Sequence, residues 1–297
     1  AALRKIADPV RIITELIARL EHPHDYVRSE AVEALRQTER GPPSQCITVA
    51  VCACLQDAEL VVRRSAIRAL GDIAERGDQN VIAAVRVVLE DQDEDIRCQA
   101  ATALGKIAEI DDKRTIAAVS ACLEDSDTKV KAAAVKALGE IGGRGNEYTL
   151  ATVSACLEDA DVGVRCSAMG ALAKLAMQGD EPAIAAGLLY LEDPNALVRC
   201  AAVEAVGDMA EKSSKRVIDD VVWRLGDPDI GVREASVAVL RRLAGSEGVT
   251  SALTACMEGD SSVIPRSLAV CEWAKLALQA ECNKRSVTSA EKLSFPC

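Results

Sequence analysis

The chain has 297 residues, a formal net charge of −11 and a sequence pI near 4.9, and it carries only two Trp, three Tyr and one Phe. A surface of that sign is repelled by phosphate backbones and anionic headgroups, and so few rings cannot supply base-stacking platforms, which excludes nucleic acid as a partner. No run of eighteen apolar residues occurs, which excludes membrane insertion.

The chain opens on Ala2-Leu3-Arg4-Lys5-Ile6-Ala7, which matches Ala103-Leu104-Gly105-Lys106-Ile107-Ala108. Residues 1–7 therefore read as the end of a truncated preceding repeat, and the missing initiator methionine points to a fragment or mature part of a longer chain. A phrase close to Leu-Glu-Asp-x-Asp-x-x-Val-Arg-x-x-Ala-x-x-Ala-Leu-Gly then recurs, with marker leucines at Leu20, Leu55, Leu89, Leu123, Leu157, Leu191 and Leu225. The first step is 35 residues and the others are 34, and a degenerate eighth copy starts at Met257. Such a period predicts an all-α solenoid of about eight stacked two-helix repeats, because one unit cannot bury its apolar face alone.

The third copy shows the pattern of a unit. Val81, Ile82, Val85, Val88 and Leu89 fall on one face of a short first helix, and Ile96, Ala100, Ala103, Leu104 and Ile107 on one face of a second. Gln99, Thr102 and Lys106 point the other way. Between the helices, Asp57, Asp91, Asp125, Asp159, Asp193 and Asp227 share one phase and read as N-caps of the second helix. Pro23, Pro194 and Pro228 read as first helical residues, and Glu59, Asp93, Asp127, Asp161 and Asp229 as negative charge in the first turn.

Six residues after each of those aspartates stands a cation: Arg63, Arg97, Lys131, Arg165, Arg199 and Arg233, with Arg28 in the first copy. An aspartate followed by Val-Arg or its equivalent and then alanines, as in Asp91 to Ala103, resembles the HEAT-repeat family, especially the shorter repeats of phycobilisome-lyase-type proteins. The resemblance covers roughly residues 1–282. It implies that aspartate and arginine of adjacent repeats form a ladder along the stack, built here from the residues just named. A partly buried guanidinium pairing would fix the register of one repeat on the next.

Gly71, Gly105, Gly139 and Gly207 interrupt good helix formers at about 1 kcal/mol each. Close approach of a neighbouring helix is the expected compensation, since no G-x-G-x-x-G or Walker pattern surrounds them. Tetratricopeptide repeats share the length but need large aromatics in each unit. Of the twelve cysteines, Cys54, Cys122, Cys156 and Cys256 precede the marker apolar residue and Cys98, Cys166 and Cys200 follow the marker arginine. That phasing reads as packing, whereas Cys46, Cys52, Cys271, Cys282 and Cys297 share no phase. Free thiols predict a cytoplasmic or other reducing intracellular compartment, and no C-x-x-C pair marks a structural metal. His22 and His24, the only histidines, stand at an interhelical turn and cannot close a metal site. No nucleophile elbow is present either, so no catalytic residue, cofactor or metal is assigned.

Arg40 to Ser44 and Gly142 to Asn146 read as inter-repeat loops, because the repeat phase runs across both. Residues 1–282 are thus expected to form one repeat domain. In the eighth copy, 257–282, Gly259 replaces the aspartate and Pro265 the cation, as in a capping repeat whose last helix holds Val270, Trp273, Leu276 and Leu278. Residues 283–297 read as a polar tail.

The family resemblance implies that second helices line the concave face. Residues two and five places after the marker cation would be exposed there, among them Arg68, Gln99, Thr102, Lys136, Ser167 and Glu204. An open groove suits a partner protein or peptide better than a small metabolite. The expected function is a non-enzymatic scaffold or adaptor, acting as part of a multi-subunit complex. The resemblance also implies an alternative, an accessory subunit in attachment of a bilin chromophore.

Overall fold

The computed structural model describes residues 9–38 and 44–243. Expectations for residues 1–7, for most of the Arg40–Ser44 loop, for the 257–282 capping repeat and for the 283–297 tail lie outside those residues, as do Cys256, Cys271, Cys282 and Cys297. Among the described residues the structure is helical, without strands. It divides into two compact units, residues 1–175 and 176–297.

The first unit holds five helical hairpins: α1 (Pro9–Ala18) with α2 (Asp25–Gln37), α3 (Ser44–Ala53) with α4 (Leu60–Ile73), α5 (Gln79–Val87) with α6 (Glu94–Ile107), α7 (Lys113–Ala121) with α8 (Thr128–Ile141), and α9 (Glu147–Ala155) with α10 (Val162–Leu175). The second unit holds α11 (Glu181–Leu188) with α12 (Ala196–Met209), and α13 (Lys215–Trp223) with α14, residues 230–243. Within each unit successive second helices, or first helices, lie alongside one another in the manner of an α-solenoid.

The apolar stripes read from the sequence form the core. Val81, Ile82, Val85, Val88 and Leu89 of the third repeat are buried against Ile96, Ala100, Ala103, Leu104 and Ile107. Burying each such side chain removes enough apolar surface to contribute roughly 1.5–3 kcal/mol for the larger ones. Each first helix tightens into a 3₁₀ turn at its end, as at Cys54–Gln56 and Val88–Glu90, which brings the marker leucine into the core in every described repeat but the fourth, where Leu123 is half-buried and Cys122 is buried instead.

Four consecutive first helices, α5, α7, α9 and α11, start on a cap whose sequence signal is a Gly-Asp or equivalent pair repeating every 34 residues. Asp78, Asp112, Asn146 and Asp180 are the N-caps of α5, α7, α9 and α11, and each side chain accepts from backbone N–H groups of the first turn. The residue before each cap is left-handed: Gly77, Asp111 and Gly145 in the first unit, Gly179 and Ser213 in the second. That conformation aims its N–H at the next repeat, so Gly77 donates to the Ile107 carbonyl at 2.7 Å, Asp111 to Ile141 at 2.8 Å and Gly145 to Leu175 at 2.8 Å. Glycine meets this demand without strain. Asp111 adds a compensating pair of bonds, its carboxylate accepting from Gly143 N at 2.9 Å and from Asn146 Nδ2 at 2.8 Å.

The repeating aspartates are not the N-caps of the second helices. The caps stand two residues later, at Asp93 and Asp127 in the first unit and Asn195 in the second, and their side chains accept the first-turn amides. Pro23 and Pro194 accordingly lie in the turn before the cap rather than at the first helical position. The physical reason is competition: the earlier aspartate closes its own turn and serves as acceptor for a cation of the preceding repeat.

Candidate functional site

The cations reach forward by one repeat. Arg97 Nε donates to Asp125 Oδ2 at 2.7 Å and its Nη2 to Oδ1 at 2.8 Å, while Nη1 turns back to the Asp91 and Gln92 carbonyls at 2.9 and 3.1 Å. Arg28 engages Asp57 in the same bidentate way, both bonds 2.7 Å, and Arg63 engages Asp91 at 2.9 and 3.2 Å. In the second unit Arg199 holds Asp227 at 2.7 and 2.8 Å. Each aspartate also accepts the N–H two residues on, as Asp125 does from Asp127 at 2.9 Å. A guanidinium thus ties the turn of its own repeat to the turn of the next.

Electrostatics follow the geometry. The Arg97 guanidinium holds the Asp125 carboxyl below the usual carboxylate range despite opposing desolvation, and Arg28 does the same to Asp57. Arg165 and Arg233 direct Nη1 to the turn carbonyls of Asp159 and Ala160, and of Asp227 and Pro228.

One rung is weaker in kind. Lys131 reaches Asp159 through a single bond from Nζ, at 3.3 Å, because an ammonium lacks the planar fork. Lys131→Arg is expected to restore the bidentate contact and the two bonds to the Asp125 and Ser126 carbonyls, raising stability by about 1 kcal/mol. A higher urea midpoint at unchanged slope would show it, and an unchanged midpoint would mean that the ammonium already serves as well.

The second helices carry the other sequence-assigned residues. Arg68, Thr102 and Lys136 stand exposed in one file on α4, α6 and α8, and Gln99 is half-buried beside them. Glu204 is exposed at the same phase on α12 of the second unit. Ser167 departs from the pattern: it is buried, and its hydroxyl donates to the Gly163 carbonyl at 2.7 Å, so it is withdrawn from the file. Arg68 donates to Glu33 at 2.7 Å, Arg36 reaches Asp72 at 3.1 Å, Lys106 reaches Asp72 at 3.2 Å and Lys174 pairs with Glu140. Arg36, Gln37 and Arg68 together lower the Glu33 carboxyl to about 2. Charge on this face is therefore largely matched between neighbouring helices.

A family model for HEAT repeats matches residues 13–74, 48–139, 116–189 and 184–270. The chain belongs to the HEAT-repeat family. Among solved structures, YibA of Escherichia coli is similar over 91% of this chain and 95% of its own, at 18% identity and a TM-score of 0.53. An engineered protein is similar over 88% and 77%, at 19% identity and a TM-score of 0.50. The complex of CpcE and CpcF of phycocyanin lyase from Nostoc sp. PCC7120 is similar over 80% and 96%, at 22% identity and a TM-score of 0.49. At these identities the likeness is one of fold. No curated protein matches the chain.

Elsewhere on the HEAT repeats, reactive chemistry is sparse. His22 and His24 lie in the first turn with ring centroids 5.3 Å apart, and among the described residues no three His, Cys, Asp or Glu side chains gather as metal ligands. Among those residues no helix is long and apolar enough to cross a membrane. In the second unit a groove of about 510 Å³ runs between α11 and α13, with Leu188, Leu189 and Trp223 on its walls.

The cysteines of the first helices behave as packing groups. Burial raises the thiols of Cys54, Cys122 and Cys156 to about 11, and each sulfur sits near the carbonyl four residues back. At pH 7.5 iodoacetamide is therefore expected to modify exposed Cys46 well before these three, by roughly a hundredfold in rate, because the thiolate is the nucleophile. Peptide mapping during a labelling time course would reveal the order. Early modification of Cys122 would contradict the packing role.

Proposed function

We propose that this protein is a non-enzymatic interaction scaffold, a single repeat domain that holds a partner protein or peptide on the exposed file of its second helices and works as part of a larger assembly. The carrying observation is the alignment of Arg68, Thr102 and Lys136 on three adjacent helices of one unit. Side chains repeated at the same phase of stacked helices form a linear array, which matches an extended or helical partner rather than a compact metabolite. Lys136 takes part in no ion pair among the described residues, so it offers the file an unmatched positive charge. Gln99 adds an amide with both donor and acceptor capacity, and Glu204 continues the phase in the second unit.

The test is site-specific photo-crosslinking in cells from probes placed at Thr102 and Lys136, with Arg68→Glu/Gln99→Ala/Lys136→Glu as the disrupted variant. Discrete adducts that vanish in the variant, while its circular dichroism is retained, are the expected result. Adducts of unchanged identity and yield would remove these residues from the contact.

A further inference from the structure

The groove between α11 and α13 breaks the repeat pattern at three phases. Leu189 and Trp223 share one at which the preceding repeats carry Ala53, Val87, Ala121 and Ala155. Asp220 stands where those repeats carry Ala84, Ala118, Thr152 and Ala186, and Arg224 where they carry Val88, Cys122, Cys156 and Tyr190. All four side chains line the same groove, whose volume is about 510 Å³.

These departures leave the groove unfinished within the chain. Leu189 is 77% exposed, more than any other large apolar side chain among the described residues, and Trp223 is half-buried across the groove. Asp220 is half-buried yet takes part in no ion pair or hydrogen bond among those residues. Arg224 donates through Nη1 to the Leu191 carbonyl at 2.9 Å and through Nη2 to exposed Glu192 at 3.3 Å, while its buried Nε finds no acceptor. An open apolar pair, a carboxylate without a donor and a guanidinium with spare capacity are the parts of one half of an interface.

Charge selects the other half. α11, α13 and the 3₁₀ turns that end them carry four acids, Glu181, Glu192, Asp219 and Asp220, and three cations, Lys215, Arg216 and Arg224. Arg216, Asp220 and Arg224 alternate in sign at steps of four along one side of α13. A strongly acidic or strongly basic partner would meet like charges here, whereas a face of both signs complements itself when a copy is turned about a twofold axis. On a chain of net charge −11, this nearly neutral face is also where two copies repel each other least. An axis crossing α13 at the level of Val222 runs the two α13 helices antiparallel and sets Asp220 of each copy opposite Arg224 of the other. Leu189, one repeat before Trp223 and at its level, then meets its own counterpart, as Trp223 does.

We propose that this groove is the interface of a twofold homodimer, in which Leu189 and Trp223 pack on their counterparts and Asp220 of each copy pairs with Arg224 of the other.

Sedimentation velocity of the full chain reads the association, and a species of twice 31.4 kDa is expected at about 100 µM. Leu189→Asp and Asp220→Arg should each raise the dimer Kd at least tenfold with the urea midpoint held. The deciding sample is a mixture. Asp220→Arg alone and Arg224→Asp alone oppose like charges across the axis, but an equimolar mixture of the two opposes only unlike ones, so it should dimerise within about threefold of the parent Kd. If Arg224→Asp fails to fold, a photo-crosslinker at position 189 decides instead, with an adduct to α11 or α13 of a second copy expected. Arg68→Glu/Lys136→Glu, a larger change of charge on the second helices, should leave the dimer intact, so the second-helix reading stands or falls on its own crosslinks. A monomer at that concentration, a dimer indifferent to Leu189→Asp, a mixture of folded variants no tighter than its components, or adducts only elsewhere overturns the proposal.

Discussion

Asp125→Ala is expected to cost about 2 kcal/mol at pH 7, the largest loss from any single ladder side chain of the central repeats. The carboxylate that disappears accepts both Arg97 bonds and the Asp127 amide. The pair is mostly shielded, with 15% and 11% of the two side chains exposed, yet it borders solvent, so the figure is set below that of a fully buried pair to allow for screening. Arg97 would retain its two carbonyl acceptors but lose its charge partner. Because stacked repeats hold together through nearest-neighbour interfaces, weakening one should lower the urea midpoint and also flatten the transition, as the flanking repeats begin to unfold apart.

The pH dependence has a definite sign. Asp125 and Asp57 have folded-state values below the ordinary carboxylate range, set first by their arginine hydrogen bonds. The stability they contribute is complete above the unfolded value of about 3.9 and is lost as pH falls through the folded value. The deficit of Asp125→Ala relative to the parent chain should therefore shrink as urea titrations move from pH 7 to below pH 4. A deficit that stays constant down to pH 3 would assign the loss to packing or turn geometry rather than to charge.

The repeat period made the fold legible because every unit restates the same burial pattern, and Leu89, Ile96 and Leu104 announce their faces by spacing alone. The caps were less legible. In Asp-x-Asp both carboxylates have the right reach for the opening amides, and what separates Asp91 from Asp93 is Arg63, which comes from the preceding repeat and is invisible to a local reading. The Gly77-Asp78 and Asp111-Asp112 pairs were a usable signal for the first-helix caps, since a residue tolerant of the left-handed region followed by a capping carboxylate recurs at the repeat length. Phase correctly placed Thr102 and Lys136 in the open but failed at Ser167, whose small side chain folds back onto its own helix and leaves the surface.

Gly139→Ala should destabilise the chain by about 2–3 kcal/mol, whereas the same change at Gly71 should stabilise it by up to about 1 kcal/mol. Both glycines sit at one phase of the second helices, and helix propensity alone would favour alanine at each. Their neighbours decide the sign. A Cβ on Gly71 would meet Ala103 Cβ at 3.4 Å, an ordinary van der Waals contact that adds packing. On Gly139 it would stand 2.9 Å from both Cα and Cβ of Ala171, and no side-chain rotation can withdraw a Cα or a Cβ. Relief requires α8 and α10 to separate, which loosens contacts along the length of both helices, including Leu138 and Leu172 in the core. Gly105 lies between the two cases, at 3.1 Å from Ala137 Cα, so the three substitutions should rank Gly71, Gly105, Gly139 in order of increasing cost. Urea midpoints of the three variants measure that order directly, and equal effects at all three would mean that the stack adjusts its spacing freely and that close approach is not what these glycines provide.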